Sequence, residues 1–459
     1  MPDDDKQEPD EDFLAMLREM LSSQSGVDPQ QLANAAGLPN DPEQIAQLIR
    51  QLQSALQNSG DGINWGLALD QAKARAAMER AESAPENREA LEQAFNIAGL
   101  WLSEATSISE LTATPRLLTR TEWIEATMPV WIQLAEPVAS SIADAITDVL
   151  EQQAPEEMSN MISGASSLVR NVGGTLFAMQ LGQVVGQLSA EVVSGGDIGL
   201  PLLDAGSDTQ AAILAQNVAA FGADLDIDSD QVQLYLAVRE LAHARLFRHA
   251  KWLRLQFMSS ITKSASGIGI DTDRLEDLAS GFDPSNPQDL QNAMASGALI
   301  RPKSDSQLTA LERLETTLAL VEGWVDVVTA QATARLPKSS AVAETVRRRR
   351  AAGGPAESAF STLVGLELRP RRLREAAAMW QAVTDAVGAE QRDALWSHPD
   401  LVPTKEDIDD PQALIARLTA GEPELDDIDR AIEDLLGDDS GDRPREGDDG
   451  SAQEPPPVV

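Results

Sequence analysis

Residues 234–256, LYLAVRELAHARLFRHAKWLRLQ, contain the pentapeptide Arg239-Glu240-Leu241-Ala242-His243, and its reading decides the fold. A helix that holds a metal through two histidines one turn apart reads H-E-x-x-H, with the glutamate between them polarising a metal-bound water. Here Glu240 and His243 keep the second and fifth places, and Arg239 stands in the first. A guanidinium stays protonated and offers no lone pair, so Arg239 cannot be a metal ligand. Asp228, Ser229 and Asp230 precede the stretch and are candidate N-cap residues for a helix that carries it.

Outward from this stretch, nearly every segment with a clear period is helical. The chain has 459 residues, one tyrosine, few aromatics and no alternating Val/Ile/Thr hairpin, so the expected fold class is mainly α. NREALEQAFNIAGLWLSEAT (87–106) predicts one helix. The stretch from Thr119 to Gln153 predicts another, broken near Pro129 or Pro137. NVGGTLFAMQLGQVVGQLSA (171–190) has the length of a membrane span but is too polar for one, and it reads as a buried helix. On it Gly182 and Gly186 share a face and admit a neighbouring backbone. SGGDIGLPLLDAG (194–206) breaks that helix, SDSQLTALERLETTLALVEGWVDVVTAQATARL (304–336) predicts a long one, and RRRRAAGGPAES (347–358) reads as an exposed loop.

Three segments are expected: a small helical module over 1–60, a helical domain over 61–410, and an acidic tail over 411–459, disordered after about 437. The module rests on two short amphipathic patterns, 11–22 and 42–57. A net charge of -38, much of it at the two ends, argues against nucleic acid and anionic membrane as partners. Cysteine is absent, which removes disulfides, thiolate metal sites and thiol nucleophiles, and fits a cytoplasmic location. The acidic amino terminus lacks the apolar core of a secretion signal. Neither SGGDIG nor AAGGPA has the lysine or preceding strand of a phosphate loop.

LVEGWVDVV (320–328) supplies Glu322, a candidate third ligand on a second helix, with Asp326 one turn on as a possible further ligand and Gly323 allowing close helix approach. LAVRELAHARLF and LVEGWVDVV are accompanied by NWGLALDQAKARAAM (64–78), LWLSEAT (100–106), TRTEWIEATMPVW (119–131) and LWSHPDLVPT (395–404). On these motifs the chain resembles the zincin-like metallopeptidase family over about residues 60–410. Members of that family carry the labels hydrolase, zinc-dependent metalloprotease, or protein associated with deazaflavin coenzyme biosynthesis. The resemblance implies a mostly helical zincin-like fold, zinc as cofactor, Glu240 as the catalytic residue, and His243 and Glu322 as metal ligands. Arg239 replaces the first ligand and departs from the pattern.

Four readings of the helix stay open. It is a structural relic held by ion pairs. It is a rebuilt metal site of Glu240, His243 and Glu322, with Asp326 or His249 assisting. It belongs to a metal-independent hydrolase, for which no nucleophile motif is visible, or the likeness is accidental. The favoured function is a metallopeptidase-type hydrolase whose activity is weak or lost. The alternative is a non-catalytic protein that holds a peptide or protein partner. His249 and His398 read as surface and turn residues, and Trp101, Trp123, Trp131, Trp324 and Trp380 as core, with Trp324 filling space beside the site.

Overall fold

The computed structural model describes residues 63–78, 88–152, 159–203, 210–265 except 224, and 302–420 except 366, 368 and 369. The expected module helices 11–22 and 42–57 and the acidic residues beyond 420 lie outside them. The described residues are mainly helical. In chain order the helices are α1 (Gly66–Met78), α2 (Arg88–Ala105), α3 (Arg120–Gln152), α4 (Ser159–Glu191), α5 (Ala215–Ala223), α6 (Ser229–His249) and α7 (Trp252–Ala265). They continue with α8 (Asp305–Ala332), α9 (Ser339–Ala352), α10 (Pro355–Val364), α11 (Leu373–Ala394), α12 (Lys405–Asp409) and α13 (Pro411–Thr419). Strands are confined, among the described residues, to the parallel pair β1 (Arg116–Leu117) and β2 (Ala212–Ile213), in register Arg116↔Ala212.

Helix α6 sits at the centre: every residue from Val232 to Phe247 is buried. A helix buried on all sides needs neighbours all round, and α2, α5, α8 and α9 supply them. Helix α8 is buried without interruption from Thr317 to Thr329. Its N-terminus is fixed by a capping box, in which Ser304 and Gln307 exchange side-chain and backbone hydrogen bonds. Helix α6 starts at Asp228, whose side chain makes no cap bond. The last described helix, α13, packs on α11 beyond position 410.

Two expectations about breaks are corrected. Helix α3 runs through both Pro129 and Pro137. Each proline removes one helical hydrogen bond, but Trp123, Ile124, Met128, Trp131, Leu134 and Val138 bury the same helix deeply enough to hold its course. The arginine run 347–350 is helical, within the last two turns of α9, and not an exposed loop. Arg350 is buried, which a reading of four adjacent charges as solvated could not anticipate.

Helix α4 meets α1 through Gly182 and Gly186. A Cβ on Gly182 would collide with the Ala68 carbonyl oxygen, and one on Gly186 would lie 2.7 Å from that of Ala72. Ala68 and Ala72 are themselves fully buried, so the two backbones are in contact. No described helix is long and apolar enough to cross a membrane.

A buried carboxylate ties distant parts together. Asp393 accepts hydrogen bonds from Thr106 Oγ1 (2.6 Å), the Ser107 N–H (2.8 Å), Trp324 Nε1 (2.9 Å) and Arg392 Nε (2.7 Å). Arg392 also donates to the Ala105 carbonyl at the end of α2. Trp324 therefore faces this cluster and not Glu322, a correction that follows from two residues being about 200° of helical turn. The tightness of the α1–α4 contact is directly testable. Gly182→Val should lower stability by about 2–3 kcal/mol or more through overpacking. Gly99→Ala, at a helical position where an added Cβ meets nothing within 4 Å, should be neutral or raise it by about 0.5–1 kcal/mol. Urea unfolding of both variants measures the contrast.

Candidate functional site

Helices α6 and α8 bring Arg239, His243 and Glu322 into one buried cluster. The Arg239 guanidinium donates from Nη2 to Glu322 Oε2. His243 Nε2 lies 3.1 Å from the other carboxylate oxygen, Oε1, and its Nδ1 lies 3.1 Å from the Arg239 carbonyl one turn back. Arg350 of α9 adds a second cation, its Nε 3.9 Å from Glu322 Oε2. Burial opposes ionisation of Glu322, but Arg239, His243 and Arg350 outweigh it and hold the carboxyl far below the usual carboxylate range.

Burial lowers the pKa of His243, against the pull of Glu322. In the neutral ring one nitrogen carries the proton. The charged Glu322 oxygen is a stronger acceptor than a peptide carbonyl, so we assign the proton to Nε2.

Glu240 turns elsewhere. Its Oε2 accepts the Gly196 N–H and its Oε1 the Ala212 N–H, each at 2.8 Å. Burial pushes its carboxyl up to about 7, against these two hydrogen bonds. Both donors belong to backbone that closes over the site. Gly195 donates to the Ala212 carbonyl and Leu214 to that of Val193, so residues 193–195 run beside β2.

The glycines of this segment allow it to lie flat on Glu240 and His243. A Cβ on Gly196 would come within 2.6 Å of His243 Cβ, and one on Gly195 within 3.0 Å of Glu240 Oε1. Gly199, at φ +77°, has room for no side chain because Glu322 Oε1 would be 2.7 Å from it. The space left around Glu240 and His243 is a slit of about 10 Å³, room for one water at most.

The other candidates are placed apart. Asp326 is committed to Arg347, which donates from Nε (3.0 and 3.1 Å) and Nη2 (2.9 Å). Gly323 is a close-contact position, but its neighbour is α11 and not α6: a Cβ added there would lie 2.8 Å from the Ala376 backbone. One residue past Glu322 has already turned by about 100°, which carries Gly323 off the face toward α6. His249 is exposed at the end of α6, and His398 sits in an exposed turn beside Asp400. Sequence reasoning missed Arg350 and the glycines of 194–199, since small residues after a helix do not announce what they cover.

Zinc does not fit these donors. Arg239 presents no lone pair where the first ligand would be, and His243 Nε2 and Glu322 are committed to each other and to Arg239. Among the described residues no group of three His, Cys, Asp or Glu side chains is arranged to hold a metal ion.

Residues 63–415 match the family described as zincin-like metallopeptidase. The chain belongs to that family. Among solved structures it is similar to a protein of Chloroflexus aurantiacus, titled a "putative hydrolase with a novel fold". The two share 18% identity over 78% of this chain and 99% of the other, with a TM-score of 0.53, a likeness of fold. No curated protein matches the sequence. In this zincin-like chain, Arg239, His243 and Glu322 come together on α6 and α8.

Two measurements probe the cluster. Glu322→Gln leaves Arg239 buried opposite a neutral amide and should cost roughly 3–5 kcal/mol in urea unfolding. Glu240 has a folded pKa raised from 4.5 to about 7, so its stabilising share is complete below 4.5 and is lost as pH rises through 7. The stability of the wild type minus that of Glu240→Gln should therefore fall, by on the order of 3 kcal/mol, between those pH values. A flat or rising difference would mean that the two N–H donors dominate. Glu322, shifted the opposite way, loses its contribution only below its unfolded value of 4.5.

Proposed function

We propose that this zincin-like chain has lost peptidase activity and keeps the family scaffold as a binding protein, for which a peptide or protein partner is the natural class. One observation carries the reading: Glu240, at the place of the general base, accepts a backbone N–H on each carboxylate oxygen, from Gly196 of the segment lying over it and from Ala212 of β2. A general base must reach the water or proton it acts on. This carboxylate is instead bonded to the backbone over it and borders only a slit of about 10 Å³. Arg239 supports the same reading, because it supplies beside Glu322 the positive charge that a metal would otherwise bring.

On this proposal the reaction chemistry of the family has no counterpart here. Arg239 and Glu322 instead neutralise one another and, with Arg350, join three helices, while Glu240 is bonded to backbone N–H groups. A cytoplasmic location accords with the lack of cysteine.

Zinc titration of purified wild-type protein by calorimetry, with elemental analysis, tests the proposal beside a casein-cleavage assay. The wild type should take up no stoichiometric zinc and cleave nothing above background. Arg239→His places a second imidazole four residues from His243 and should raise zinc affinity by roughly tenfold or more. Tight stoichiometric zinc in the wild type, lost in His243→Ala or Glu322→Ala, would overturn the proposal in favour of a rebuilt metal site.

A further inference from the structure

A cavity of about 560 Å³ opens on the far side of the segment that covers Glu240. It lies between the end of α4, residues 192–198, α5, the end of α9 and the start of α10. Its volume falls in the range of roughly 300–1,000 Å³ usual for small-molecule sites. The walls are largely apolar, and Leu188, Val192, Ile198 and Phe221 are among the residues that line them. Apart from Asn217, the polar lining is charged. Glu191, Asp197 and Glu357 face Arg349 and Arg350, one negative charge in excess.

The state of each charge indicates the ligand. Asp197 is served by the Val193 N–H at 2.9 Å and by Arg349 at 3.4 Å. Arg349 also lies over the Phe221 ring, 5.7 Å from its centroid. Arg350 donates to Glu357 Oε1 at 2.5 Å and to the Ile198 carbonyl at 3.0 Å, and is shared with Glu322 behind it. The second oxygen of Glu357, Oε2, meets no hydrogen-bond donor among the described residues, although the residue is only 6% exposed. A buried carboxylate oxygen without a donor is costly.

The start of α10, where an anion would otherwise be favoured, is already covered by a carboxylate of the chain. A Cβ on Gly354, the N-cap residue, would fall on Glu191 Oε2. The cavity thus holds a buried carboxylate oxygen that lacks a donor, in a lining with one negative charge in excess.

We propose that this cavity binds a small molecule with an apolar body and one protonated amine, the ammonium group donating to Glu357 and the body lying against Phe221, Leu188 and Val192. This site is distinct from the Glu240 position and stands whether or not the protein takes up a metal. Its ligand would press on Asp197 and Ile198, in the same segment that holds Glu240, and on Arg350, which touches Glu322.

Calorimetric titration of the full chain with three ligands of one shape tests this: tryptamine, the neutral alcohol tryptophol and the anion indole-propionate. Tryptamine should bind saturably, one per chain, and about tenfold more tightly than tryptophol, the difference expected of a charge-assisted hydrogen bond. Indole-propionate should bind most weakly. Glu357→Gln should remove the preference for the amine. Ala220→Trp, at an exposed position on the rim, should abolish binding without altering the melting temperature. Equal or tighter binding of the anion, no saturable binding of tryptamine at millimolar concentration, or binding that survives Ala220→Trp would each overturn the proposal. The ligand ranking and the Ala220→Trp result decide it even if Glu357→Gln does not fold.

Discussion

The buried ion pair of Arg239 and Glu322 is the constraint on which the centre of this molecule depends. Two charges taken out of water cost several kcal/mol each, and their attraction repays that only in good geometry with further hydrogen bonds. His243 on one carboxylate oxygen and Arg350 beside the other supply the remainder. Helices α6, α8 and α9 are therefore held in one arrangement, because any sliding would strand a charge. In a metal site the ion performs this task, gathering ligands from separate helices around a single positive centre. A guanidinium is a planar substitute that belongs to the chain itself.

The ion pair also bears on what can lie on top. A metal with an open coordination position requires space for water and substrate. The pair of guanidinium and carboxylate requires none, and the segment Ser194–Leu203 has settled onto it through three glycines. The Gly196 N–H of that segment and the Ala212 N–H of β2 complete the hydrogen bonding of Glu240, which would otherwise be an isolated buried carboxylate. Closure and hydrogen bonding support each other: the segment that lies flat over the site also supplies a donor to the carboxylate beneath it.

The helical class was legible because α2, α6 and α8 carry long periodic patterns, and Gly182 and Gly186 signalled close packing at the place where α1 lies. His243 and Glu322, which meet across 3.1 Å, could be paired from the sequence only through the family's spacing, as 79 residues separate them. Local reasoning failed where tertiary burial overrides it. Pro129 and Pro137 are helix breakers by themselves and helix residues in a well-packed core. Four successive arginines look solvated, yet one helical turn sends Arg347 to Asp326, Arg349 to Asp197 and Arg350 into the interior. Gly323 is a contact residue, as its size suggests, but helical rotation decides with which neighbour, and that neighbour is α11.

The cluster at Asp393 carries a consequence for how the chain reaches its native state. Its carboxylate joins Thr106 and Trp324, residues 287 and 69 positions earlier. Closing so long a loop carries an entropic cost before any contact rewards it, which places the step late and makes folding slow for a helical protein. During synthesis, at roughly 5–20 residues per second, the end of α2 waits many seconds for its partner to leave the ribosome. Until then the indole N–H of Trp324 and the exposed end of α2 have no final partner. The nascent chain thus presents an unfinished apolar surface for longer than its helical content suggests, and chaperones have most to do in that interval.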